Sequence, residues 1–100
     1  MTHSKAVEDV LAERRRQIEA EGWTPEHDDG HENGDLSRAA ACYALTAARY
    51  PHDDVAFLRF WPWQGEWWKP TTPRRDLVKA GALILAELER MDRAAEKGAA

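Results

Sequence analysis

Apolar residues recur at helical spacing in three stretches of the chain. In the first, Val7, Val10, Leu11 and Ile18 repeat with a period near 3.6 and Arg14 interrupts the stripe. That pattern predicts a helix over residues 4–21, with Gly22 placed for a left-handed C-terminal cap. In the second, Leu36, Ala39, Ala40, Tyr43, Ala44 and Ala47 line one face of a helix over residues 36–50, which Asp35 caps and Pro51 ends. Its alanines make that face flat, so another helix can approach closely. In the third, Leu77, Gly81, Ile84, Leu88 and Met91 form a seam flanked by Val78 and Leu85. Thr72 caps this last helix and Pro73 opens it. Gly81 costs about 1 kcal/mol against alanine in a helix interior, so its presence predicts close contact with a neighbouring helix.

The connections read differently. Residues 22–35 are polar and rich in Gly, Asp and His, a composition that predicts a loop with no regular element. Residues 52–60 fit either a helical turn or a short extended stretch. Residues 60–73 hold four of the five tryptophans, stiffened by Pro62, Pro70 and Pro73. Residues 94–100 are expected to fray. The whole is expected to be a single all-α domain over residues 1–100, with three main helices joined by long, Trp-rich loops. A chain this short buries a modest core, so association into a homo-oligomer is expected.

Composition narrows the function classes. A net charge of -4 argues against general nucleic-acid binding. No apolar run approaches the length of a membrane span, and no signal peptide is recognisable. The lone Cys42 sits among alanines, which suits a buried helical position in a reducing cytoplasm.

Candidate chemistry lies in three places. The polar loop carries His27, Asp28, Asp29, His31, Glu32 and Asp35, six groups able to ligate a metal or to cap the following helix. On the last helix, Glu89 and Asp92 share a face, either holding magnesium or pairing with Arg90 and Arg93. The candidate metal set is His27, Asp28, Glu89 and Asp92, with Mg2+ as the cofactor in that alternative and no cofactor otherwise. No nucleophile motif, phosphate-cradling loop or dinucleotide fingerprint occurs, so covalent catalysis has no support.

The third place is the Trp loop. Trp61-Pro62-Trp63 holds two rings on a stiff backbone, and adjacent Trp67 and Trp68 point to opposite sides of an extended segment, one inward and one toward a cleft. Lys69, Arg74 and Arg75 follow, the two arginines at a helix N-terminus where an anion is favoured. Rings beside cations suit a nucleotide; equally, they suit an aromatic lid over a thin core. The run Arg14-Arg15-Arg16 spans most of a helical turn, so at least one of the three lies at the buried edge, as a snorkelling side chain or a ligand contact. The ligand-binding set is Trp23, His27, Trp61, Trp63, Trp67, Trp68, Lys69, Arg74, Arg75 and Arg15, with the 23–35 loop as the facing wall.

Several stretches carry a resemblance: Glu13 to Asp29 (ERRRQIEAEGWTPEHDD), Arg38 to Leu45 (RAAACYAL), Trp61-Pro-Trp63, Trp67-Trp-Lys-Pro70, and Arg74 to Glu87 (RRDLVKAGALILAE). Together they resemble a family of small bacteriophage and prophage proteins. That resemblance implies an accessory protein of the bacterial cytoplasm in which Trp23, Glu26, His27, Asp28, Trp61, Trp63, Trp67, Lys69 and Lys79 matter as a group. A fainter similarity, resting on Glu89 and Asp92, is to MazG-type all-α nucleoside triphosphate pyrophosphohydrolases. The expected function is binding and sequestering of a nucleotide-derived ligand, such as a signalling nucleotide of host defence. The alternatives are magnesium-dependent hydrolysis of a nucleoside triphosphate and protein docking through a Trp patch.

Overall fold

The computed structural model describes residues 2–31, 33–48 and 60–99. The described chain is helical, with no strand among those residues. Helix α1 spans Lys5–Glu19, α2 Pro25–Asp28, α3 Asp35–Ala47 and α4 Pro73–Ala99, with a single 3-10 turn at Gly65–Trp67. The stop at Pro51, the ambiguous residues 52–59 and the candidate ligand Glu32 lie outside the described residues.

Local chemistry accounts for the boundaries. Ser4 opens α1 by accepting from the Val7 N–H at 3.2 Å. Gly22 adopts φ +76°, which lets the chain reverse so that the Trp23 N–H reaches the Gln17 carbonyl at 2.9 Å. Residues 22–35 are not without regular structure as composition suggests. Thr24 accepts from the His27 N–H at 3.2 Å and Pro25 stands at the first helical position, which closes the one-turn helix α2. The threonine-proline pair outweighed the surrounding Gly and Asp residues. Gly34, at φ +76°, precedes α3, so Asp35 is its first residue rather than its cap. Thr72 caps α4 as expected, accepting from the Arg75 N–H at 3.3 Å, while buried Asp76 reaches back to the Thr71 N–H at 2.8 Å.

The core sits between α3 and α4. Leu36, Ala39, Ala40 and Tyr43 of α3 meet Ala80, Leu83 and Ala86 of α4, and Trp23, Trp61, Trp63 and Trp68 pack against them. Alanines on both helices permit this close approach, and the predicted face of α3 is the one buried.

Helices α1 and α4 depart from the expected seams. Leu77, Ile84, Leu88 and Met91 remain 54%, 51%, 51% and 53% exposed, and the side chains buried on α4 belong to Asp76, Val78, Ala80, Ala82, Leu83, Ala86 and Glu87. On α1 the buried residues are Glu13, Arg14 and Gln17, whereas Val7 and Leu11 are exposed. Helix α1 thus buries only polar side chains, α4 buries Leu83 and Val78 among small and acidic ones, and both carry further large aliphatics outward. Gly81 does meet a neighbour, because a Cβ there would lie 3.2 Å from a Val10 methyl.

Candidate functional site

The turn at Gly22 and the capped helix α2 bring Trp23, His27 and His31 opposite the Trp loop. Trp23 lies 5.6 Å from Trp63 and 6.3 Å from Trp67, centroid to centroid, with planes inclined by about 50°. His27 stacks on Trp23 at 6.4 Å, nearly parallel, and meets His31 edge-on at 4.8 Å; His31 in turn lies 5.3 Å from Trp63. These rings wall an open cavity of about 390 Å3, completed by Glu21, Pro62 and Gln64.

A second layer holds the walls in place. Trp61 stands edge-on to Trp63 at 5.3 Å and donates its indole N–H to the Gln64 carbonyl at 3.1 Å. Trp68 lies 4.9 Å from Trp61 and 4.8 Å from Tyr43. The Tyr43 hydroxyl accepts from the Lys69 N–H at 3.2 Å, which pins the end of the Trp loop to α3. Trp67 and Trp68 therefore divide as their adjacency suggested: Trp67 faces the cavity and Trp68 faces the core. His31 is fixed by Asp35, its Nδ1 lying 3.2 Å from Oδ2.

A narrow polar groove shares Glu21, Trp23 and Trp67 with this cavity and continues past Gln17, Lys69 and Lys79. Lys79 donates to the Lys69 carbonyl at 2.6 Å and sits 5.5 Å from the centre of the Tyr43 ring; Lys69 lies 5.6 Å from the Trp67 ring. Burial lowers the Lys79 pKa below its ordinary value. Beneath the groove, burial works against the charge on Glu13, but Arg16 and Arg75 outweigh it and hold the carboxyl below its ordinary pKa. Both arginines hydrogen-bond Glu13, and Gln17 donates to it at 3.2 Å.

The predicted ligand set is only partly gathered. Trp23, His27, Trp63 and Trp67 line the cavity, Lys69 lines the groove, and Trp61 and Trp68 support the walls. Arg75 is engaged with Glu13. Arg74 is paired with Asp9 at 2.8 Å, in a separate surface depression. Arg15 is exposed and lines neither the cavity nor the groove; of the arginine run it is Arg14 that is buried. Glu21, His31, Gln64 and Lys79 complete the site. The prominence of Lys79 followed from the family resemblance alone; Glu21 and Gln64 carried no signal beyond lying beside Trp23 and Trp63.

The proposed metal ligands do not form a cage. Arg14 Nη2 lies 3.0 Å from both Asp28 Oδ2 and Glu89 Oε1, so a guanidinium stands where those two carboxylates converge. Burial nevertheless raises the Asp28 pKa, against the pull of Arg14 and His27. Asp92 is exposed, and among the described residues no group of three His, Cys, Asp or Glu side chains is disposed to hold a metal. The donor set therefore does not fit magnesium. Cys42 is buried and its thiol is pushed up to about 11, which removes it as a nucleophile. No described helix is long and apolar enough to cross a membrane. Comparisons with protein-family models, curated proteins and solved structures find no match.

Proposed function

We propose that the chain is a binding protein for a nucleotide-derived small molecule, which enters the aromatic cavity base first. The observation that carries this reading is the cavity itself: three indoles and two imidazoles around about 390 Å3, opening beside Lys69 and Lys79. Pockets for small ligands run from about 300 to 1,000 Å3, so the space suits one nucleoside and not a dinucleotide. Bases stack on aromatic faces, each such contact contributing about 1–3 kcal/mol. Lys69 and Lys79 would take the phosphate end, and partial desolvation strengthens that attraction.

A quaternary ammonium ligand is the competing occupant of an aromatic box. The one carboxylate in the lining, Glu21, is already bound to Arg16 at 3.0 Å, and Lys69 already serves the Trp67 ring. Those contacts favour a flat, uncharged heterocycle. With the resemblance to phage proteins, the reading makes this chain a cytoplasmic sink that withdraws a signalling nucleotide from host defence.

Titration calorimetry against nucleoside mono- and diphosphates, cyclic nucleotides and ADP-ribose tests the proposal, with choline as the cationic control. Binding of at least one nucleotide, weakened about ten- to a hundredfold by Trp63→Ala, is expected. Heat with choline alone, or with none of the panel, sinks it. Product formation from a triphosphate in magnesium would replace the binding role with a hydrolytic one.

A further inference from the structure

The large aliphatics that α1 and α4 carry outward form one continuous face. Leu77, Ile84, Leu88 and Met91 lie on the same side of α4, each three, four or seven residues from the next. Gly81 and Leu85 of that helix, with Ala6, Val7, Val10 and Leu11 of α1, line an apolar groove of about 370 Å3 between the two helices. Six of the eight large hydrophobics exposed among the described residues stand on this face; the others are Phe60 and Trp67. Buried Glu13, Arg14 and Gln17 form the inner side of α1, so its amphipathicity is inverted relative to a surface helix. Val10 of α1 packs on Gly81, but Val7 and Leu11 stay exposed, so among the described residues nothing covers the outer apolar face that α1 shares with α4.

We infer that what covers this face is a second copy of the chain, packed antiparallel along α4. Three observations select it. First, the seam runs 77, 81, 84, 88, 91, the four-three-four-three spacing of a helix built to pack along another helix of the same repeat. Second, the face is self-complementary under a two-fold axis. Antiparallel pairing centred between Gly81 and Ile84 sets Ile84 of each copy over the groove at Gly81 of the other, and sets Leu77 against Leu88. A large side chain thus enters the groove that Val7, Val10, Leu11 and Leu85 line around Gly81. Third, the same pairing brings Arg74, whose guanidinium also meets Asp9 at 2.8 Å, alongside Asp92 of the other copy, giving the apolar strip a rim of opposite charges.

The area is sufficient. Six half-exposed aliphatic side chains present roughly 500 Å2 per copy, so a pair removes about 1,000 Å2 from water through them alone, where specific interfaces begin. The cavity walled by Trp23, Trp63 and Trp67 shares no lining residue with this groove, so the assembly does not depend on the ligand reading.

Sedimentation equilibrium tests the inference. The full chain is expected at twice its formula mass, and Ile84→Glu and Leu77→Lys are each expected at the mass of one chain with helical circular dichroism retained, since both side chains are half exposed in the single copy. Mixed Leu77→Cys and Leu88→Cys chains are expected to cross-link to each other, whereas neither cross-links alone. A full chain sedimenting as one copy, or both variants keeping the mass of the unsubstituted chain, overturns the proposal. If both variants unfold, the melting temperature of the unsubstituted protein decides. A rise with protein concentration supports the dimer, and independence from concentration overturns it.

Discussion

Arg14 and Asp28 face each other at 3.0 Å with side chains 6% and 1% exposed, an ion pair that ties the middle of α1 to the short helix beside the aromatic cavity. Removing one partner of such a pair strands the other in a dry site at a cost of about 3–5 kcal/mol. Arg14→Met is therefore expected to lower unfolding stability in urea by that amount, and Arg14→Met with Asp28→Asn to recover most of it. Glu89→Gln removes a half-exposed contact to the same guanidinium and should cost about 1 kcal/mol or less. A single Arg14→Met loss below about 1 kcal/mol would show that the pair does not hold α2 in place.

Within the aromatic cluster, position decides whether a ring serves binding or folding. Trp63→Ala is expected to weaken nucleotide binding about ten- to a hundredfold, the value of one stacked base, while leaving the helical signal intact. Trp61, which does not line the cavity and braces Trp63, should behave in the opposite order: Trp61→Ala is expected to cost about 3 kcal/mol of stability. Calorimetry and urea titration on the same two proteins separate the roles, and equal stability losses in both would reject the division.

Acid should act through Glu13. Its folded-state pKa lies below the ordinary 4.5, so it contributes stability that is present above pH 4.5 and is lost as pH falls through the folded value. The stability gap between the unsubstituted protein and Glu13→Gln is expected to be widest near neutrality and to close as the solution is acidified. Asp28 has the reverse sign. Its folded pKa is raised above 3.8, so its contribution is complete below that value and is lost as pH rises through the folded one. Urea midpoints measured across the acid range for both Glu13→Gln and Asp28→Asn check the two signs together.

Gly81 offers a fourth test. Alanine there gains about 1 kcal/mol of helix propensity, but its methyl would stand 3.2 Å from Val10, which must give way. Gly81→Ala is expected to be near neutral, and the same change in a Val10→Ala background to stabilise by about 1 kcal/mol. An additive double-mutant cycle would mean that Val10 does not limit this approach.

These outcomes follow from how sequence and fold correspond. The helices were legible because periodicity, Thr72, Pro73 and Gly22 all point to the same boundaries. The flat alanine face of α3 named its own partner, since only a close-packed helix can use it. Helix α2 was hidden because one cap and one proline set it, against a composition that otherwise disfavours helix. The inward faces of α1 and α4 were misjudged because period identifies an apolar stripe without saying which molecule covers it. The arginine run placed one of its members at the buried edge, but the partners that bury Arg14 and Glu13 there, Asp28, Glu89 and Arg75, are distant in sequence and no local pattern encodes them. The cavity was foreseeable from Trp23 and the Trp loop, and Lys69 beside it, but the place of Arg74 and Arg75 was not: they pair with Asp9 and Glu13, and the adjoining groove is lined by Lys69 and Lys79.

All five tryptophans stand in one unbroken chain of ring contacts, from Trp67 to Trp23, Trp63, Trp61 and Trp68. Optically they are expected to behave as one coupled set rather than as five isolated rings. Excitation absorbed by any indole is shared among neighbours about 5–6 Å away, so a quencher in the cavity darkens the emission of the whole set. The same proximity couples their strong far-ultraviolet transitions, so a dichroic couplet is expected there that reports the integrity of the cavity without a label.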